Sequence, residues 1–383
     1  MLFDYYFYLY IHLHLYLTVP CLLTYHIFIY QVLKVLSVII GGFFFTLFTT
    51  AWSVLGIRKL MSFGSSSSDD STSSDDDTNQ GTEIIASTVP TTNPPPKAFS
   101  LTLFQTLKTF AWVTGISTVA LIKKSPESKY INLLRSSFLL FTTLSTFVFG
   151  ANLPKAFTKT VHPLVTCTGL TWLAAKALAS LTGSTFLNIL QSYKSGTLSL
   201  LSAGAGDVLL FLLGPAVVAL ACQMYGRKKL MRENIPEVGI STLVSSFGGL
   251  YGTAAAVRLL GIVSPTIRLS LLSRNITSPL AMAIATILGA DVSLAVTIVV
   301  LTGLFGANFG AAILDAAGIK DAVARGLGIG AAAHGLGTAA FANEKDAFLF
   351  AAIAMALTAS ACTVLVSLPL VKKSVLKLAL GGM

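Results

Sequence analysis

AVARGLGIGAAAHGLGTAAF, residues 322–341, is the stretch on which the reading of this chain turns. Nearly every residue in it is Ala, Gly, Leu, Ile or Val, which suits a membrane interior or close helix packing. It nevertheless holds Arg325, His334 and Thr338. In a bilayer core each such group must find a partner or water, so each is costly to keep. A glycine-interrupted apolar segment with an ionisable residue is the sequence mark of a broken helix at a transport site. A second interrupted segment, Ser273-Arg274-Asn275-Ile276-Thr277-Ser278-Pro279, lies upstream. Together the two point to a small-molecule carrier.

Composition agrees. Of 383 residues, 54% are hydrophobic and 11% charged, against about 25% charged in a soluble domain. Long apolar runs between short polar loops predict an all-α, polytopic transmembrane helical bundle. Its two discontinuous helices are compatible with the inverted repeats of secondary transporters. The net charge is +10, although six of the 16 acids (Asp69, Asp70, Asp75, Asp76, Asp77, Glu83) sit in one short stretch. Nucleic acid is not the partner this charge implies. Loop Lys and Arg set membrane orientation and meet anionic lipid. Cys21, Cys167, Cys222 and Cys362 stand singly in apolar sequence, as small buried hydrophobes rather than metal ligands.

In chain order, Leu2–Leu33 and Val35–Ile57 are each long enough to span a bilayer of about 30 Å. His12, His14 and His26 there read as interfacial. The start resembles neither a secretory signal nor a transit peptide. Residues 62–100 then change character, with SFGSSSSDDSTSSDDDTNQ followed by TTNPPPK. Ser, Asp and Pro cannot bury a core, so this is expected to be a disordered acidic linker. It divides the chain into a membrane segment, 1–61, and a larger membrane domain, 101–383. Spans are expected near 101–122, 131–150, 160–181, 198–222, 238–262 and 347–371, with shorter broken segments across 270–341. Glycines four apart, Gly248/Gly252, Gly306/Gly310 and Gly326/Gly330, predict close helix approach.

Several motifs yield to simpler accounts. Gly328–Ala333 and Gly335–Ala340 formally fit GxGxxA, but no strand precedes them and no acid follows at the required distance. Asn275-Ile276-Thr277 is a glycosylation sequon on paper, set against apolar sequence that favours burial. Asp207 either caps the next helix or pairs with Arg274 or Arg325. Asn308 is a polar group in an apolar span, suited to helix-to-helix hydrogen bonding. Arg274 either snorkels to the interface or binds a carboxylate with its planar fork. His334 is either a neutral, satisfied histidine or a proton-handling group. Nothing suggests a nucleophile–base pair, a metal cluster or a cofactor, so no enzyme and no cofactor is expected.

Four blocks in order, GAGDVLLFLLGPAVVAL (204–220), SRNITSPLA (273–281), VTIVVLTGLFGANF (296–309) and ARGLGIGAAAHGLGTAA (324–340), resemble the LrgB half of the plastidal glycolate/glycerate translocator family. That family is related to the bacterial LrgB/CidB membrane proteins. Residues 34–61 are similar to the end of the LrgA-like half that precedes it, so the chain resembles an N-terminally truncated member. The resemblance implies a carrier exchanging glycolate for glycerate across the chloroplast inner envelope in photorespiration. The matching positions are Asp207, Arg274, Asn308, Arg325, His334, Gly335, Gly337 and Thr338. Gly214-Pro215 and Thr277-Ser278-Pro279 are closer to the bacterial pattern.

The expected site follows. Arg274 and half-helix N-termini hold a carboxylate, Asn275, Thr277, Ser278 and Thr338 its hydroxyl groups, and His334 a proton or a hydrogen bond. Asp207, Asn308, Arg325, Gly335 and Gly337 line or support the path. Partners would be small carboxylates and lipid, with a homo-oligomer compatible. The alternatives are a holin-like protein modulating export or murein hydrolases, and a pyruvate or lactate carrier.

Overall fold

The computed structural model describes the backbone of residues 2–65, 99–158, 161–197, 199, 201–225 and 228–381. Side chains are described from residue 29 onward, apart from positions in 63–65, 155–156 and 213–224. The described residues form helices and no strand. They begin with α1 (Leu2–Ser65), α2 (Leu101–Lys124), α3 (Ile131–Ala151), α4 (Lys155–Thr158), α5 (Pro163–Thr182), α6 (Phe186–Tyr193) and α7 (Ala205–Tyr225). Next come α8 (Lys228–Glu233), α9 (Ile235–Phe247), α10 (Thr253–Leu259), α11 (Pro265–Leu271) and α12 (Ser278–Leu288). The chain closes with α13 (Val292–Ala316), α14 (Ala322–Ala340), α15 (Lys345–Ser367) and α16 (Pro369–Leu380).

Six described stretches are long and apolar enough to cross a membrane: Ile29–Ser62, Ile131–Ala151, Pro163–Thr182, Ile235–Leu259, Val292–Ala316 and Lys345–Ser367. At about 1.5 Å per residue the shortest still covers a core of about 30 Å. Many large apolar side chains face outward, among them Trp112, Leu173, Leu259 and Leu370, as a lipid-facing surface requires.

The chain forms two compact units, one of Met1–Asp69 with Gly226–Met383 and one of Asp70–Tyr225. In the second, α3 packs against α2 and α5. Leu139, Ala175, Leu178 and Ile189 are its core. Hydroxyls tie the helices across that core, Thr146 to Thr171 at 3.2 Å and Thr143 to Tyr193 at 3.1 Å. A cavity of about 590 Å³ between these helices is walled mainly by apolar side chains such as Trp112, Phe138 and Leu178, with Lys108 at its side.

The first unit is built around α14, which packs against α15, α13 and α1. Glycine makes this approach feasible. A Cβ on Gly330 would overlap the Ala351 carbonyl oxygen, and one on Gly306 would lie 2.9 Å from the Phe43 ring. Phe43, Leu47, Ala51 and Val54 of α1 are fully buried. The sequence divides the chain at the linker, whereas contact groups α1 with residues 226–383. Of the expected linker, 62–100, residues 62–65 continue α1, and residues 66–98 lie outside the described residues, as do the side chains of His12, His14 and His26.

Two segments differ from expectation. Val292–Ala316 is one continuous helix rather than part of a broken region, because Gly303, Gly306 and Gly310 face neighbouring side chains instead of interrupting it. No break separates Leu33 from Val35, since α1 runs through both.

Candidate functional site

The backbone leaves helical geometry at two buried places in the first unit. Between α11 and α12, residues 272–277 close as tight turns, Arg274 N–H to the Leu271 carbonyl at 3.1 Å and Ile276 N–H to Ser273 at 3.1 Å. Residues 272–276 are buried. Irregular backbone at such depth is tolerated where protein encloses it and its polar groups bond internally. Pro279 lies in the first turn of α12, which Thr277 precedes in extended conformation without a side-chain cap.

Arg274 rises from this turn into the protein and is 0% exposed. Its Nε donates to the Thr253 hydroxyl at 3.1 Å, and its Nη2 donates to the Thr46 hydroxyl at 2.9 Å. Nη1 has no partner. Among the described residues, no carboxylate pairs with this guanidinium. Its Nε–Nη2 edge is thus held by two neutral hydroxyls. Nη1, on the edge whose geometry matches the two oxygens of a carboxylate, is buried without a partner. A buried, uncompensated charge is costly to maintain. Snorkelling is excluded by the burial.

The second interruption is at His334, whose φ of 44° and ψ of −140° lie outside the helical region within α14. No other described non-glycine residue has a positive φ. This conformation costs an L-residue about 1–3 kcal/mol and persists only where surroundings impose it. The imidazole is 4% exposed. Its Nε2 lies 2.8 Å from the Val299 carbonyl. A carbonyl only accepts, so Nε2 carries the proton and Nδ1 is the acceptor. The ring lies against Gly303, where a Cβ would come within 2.6 Å of Nε2. Thr338 donates to the His334 carbonyl at 2.8 Å, satisfying the backbone at the break. A Cβ on Gly337 would overlap the Ala333 side chain and come within 3.2 Å of Ile329, whereas one on Gly335 would meet only Met355 at 3.5 Å.

The two interruptions meet. Asn275 donates from Nδ2 to the Ala331 carbonyl at 3.0 Å, and its buried Oδ1 has no partner. Beside Asn275 the helix from α9 to α10 widens into a π-helical turn, Gly248–Gly252. A Cβ on Gly249 would stand 3.0 Å from the Asn275 amide. Such turns recur at functional sites. Thr277 and Ser278 are half-buried at the start of α12.

Other expected residues belong elsewhere. Asp207 is a local cap within its own unit. It accepts from Ser195 N–H at 2.8 Å, the Ser195 hydroxyl at 2.7 Å, Gly196 N–H at 3.1 Å and Gly204 N–H at 2.9 Å. These bonds use both carboxylate oxygens, which is the capping alternative. Arg325 is an ion-pair hub at the start of α14, bonded to Asp315 at 2.6 Å and Glu344 at 2.9 Å. Nearby, Arg58 of α1 joins Glu237, Asn234 and Asp321. These clusters fasten helix ends. Asn308 is half-buried on α13.

Sequence reasoning missed Thr46, Thr253 and Gly42. Their only signal was a threonine or glycine inside apolar helix, which usually means packing.

A model of the LrgB-like family matches residues 143–372, more than half of the chain. The chain belongs to the LrgB-like family. It is 33% identical over 351 residues to the plastidal glycolate/glycerate translocator 1 of Arabidopsis thaliana, covering 90% of this chain and 62% of that protein. The chain thus spans less than two thirds of this plant relative. It is 31% identical to the holin-like protein CidB of Staphylococcus epidermidis, over 40% of this chain and 67% of CidB. The Staphylococcus aureus CidB is 28% identical over a similar stretch. None of these names denotes an enzyme. No solved structure matches the chain. With its apolar helices, this LrgB-like chain is an integral membrane protein.

Proposed function

We propose that this chain is a secondary carrier exchanging small 2-hydroxycarboxylates, glycolate outward and glycerate inward, across the chloroplast inner envelope in photorespiration. The observation that carries the reading is Arg274, a fully buried guanidinium whose Nη1 has no partner and with which no described acid pairs. One uncompensated positive charge suits one carboxylate. It disfavours dicarboxylates, whose second charge would find no partner there. The uncapped start of α12 adds positive partial charge beside it. Thr277, Ser278 and the free Asn275 Oδ1 are the groups to bond substrate hydroxyls. The His334 Nδ1 accepts a hydrogen bond or a proton. The two interruptions act as the discontinuous helices around which the site changes access.

The test is exchange of labelled glycolate in proteoliposomes preloaded with glycerate, with pyruvate and lactate as comparators. Saturable uptake that needs internal glycerate is the expected result. Uptake that does not saturate and needs no internal substrate would favour the second reading, a holin-like membrane assembly, which the likeness to CidB supports.

A further inference from the structure

We propose that α1, the helix preceding the linker, is part of the anion site, with Thr46 and Gly42 as positioning residues for the Arg274 fork. This rests on the carrier reading and deepens it. Neither residue lies within the stretch matched by the family model, 143–372.

Gly42 and Thr46 stand one helical turn apart on α1 and so share a face. Arg274 lies flat on Gly42, where an added Cβ would come within 2.5 Å of Cζ and 2.7 Å of Nη2. These are core guanidinium atoms, so any larger residue at position 42 displaces the charge itself. Thr46, 1% exposed, accepts from Nη2 at 2.9 Å. A guanidinium in its plane has one remaining freedom near a carboxylate, which edge it presents. Thr46 removes that freedom. Together with Thr253 it occupies the Nε–Nη2 edge and turns the Nη1–Nη2 edge to the substrate. Between these residues on the sequence, Phe43 packs at the α13–α14 crossing. Its ring meets Phe305 edge-on at 5.2 Å and approaches Gly306. One turn of α1 therefore reaches both the Arg274 segment and the helix that carries His334. The segment before the linker is then a wall of the site, not an accessory.

The test uses the full chain in proteoliposomes, with Thr46→Val, Thr46→Ser and Gly42→Ala. Thr46→Val keeps shape and removes the acceptor. It should raise KM for glycolate roughly tenfold or more, the scale of a lost charge-assisted bond, with Vmax changing less. Thr46→Ser should restore the wild-type KM, which a mere packing role would not predict. Gly42→Ala should abolish saturable uptake. Should that variant not fold, the Thr46 pair decides alone. Glycolate-induced thermal stabilisation in detergent gives a second readout, reduced in Thr46→Val and recovered in Thr46→Ser. A wild-type KM and stabilisation in Thr46→Val would overturn the inference while leaving the carrier reading intact. No saturable uptake by the wild-type chain would overturn both.

Discussion

Asn275 donates its amide hydrogen to the Ala331 carbonyl at 3.0 Å, so a side chain from one interrupted segment ends three residues before His334 in the other. The partners are 56 residues apart in sequence. Both interruptions expose backbone groups that a bilayer cannot satisfy, and this bond lets each segment answer the other. Asn275→Leu keeps the volume and deletes the bond. It should lower unfolding stability by about 1–3 kcal/mol, the range for an unmade buried hydrogen bond. Thermal unfolding in detergent checks this, and counterflow should fall with it.

His334 allows backbone strain and side-chain chemistry to be separated. Glycine adopts a φ of 44° freely, and alanine does not. His334→Gly should therefore be more stable than His334→Ala by about 1 kcal/mol or more. Both should lose exchange, because both lack the ring that Val299 holds. An alanine variant as stable as the glycine one would mean that the break is not maintained in solution.

Glycine crowding makes a sharper contrast. Gly330→Ala drives a methyl against the Ala351 backbone, whereas Gly41→Ala meets nothing within 4 Å. The first should destabilise by about 1–3 kcal/mol or prevent assembly. The second should unfold at the wild-type temperature or slightly above it.

Much of this was legible beforehand. Apolar run length alone located most helices, and the polar residues stranded in 273–278 and 325–338 marked the two interruptions. The face each charge would present was not legible. Arg274 and Arg325 look alike in sequence, each a lone arginine in apolar surroundings. One lies buried between two threonines, and the other pairs with Asp315 and Glu344. Sequence distance hides those partners. Thr46 is 228 residues from Arg274, and nothing local distinguishes it from Thr49 or Thr50. Asp207 is legible for the opposite reason: the partners that its capping reading requires are near in sequence.

The two arginines should accordingly part under mutation. Arg325→Ala removes an ion-pair hub whose acids are partly exposed, Asp315 at 67% and Glu344 at 40%. Those acids stay hydrated, so the loss should be about 1–2 kcal/mol. The KM for glycolate of the folded fraction should not change. A tenfold rise in that KM would place Arg325 in the substrate path.

Arg274→Met tests the central claim most directly. Methionine fills similar space and removes a buried charge that has no described counter-ion. The expected outcome is a chain at least as heat-stable as wild type that shows no glycolate–glycerate counterflow in proteoliposomes. Wild-type counterflow in a folded Arg274→Met chain would contradict the account.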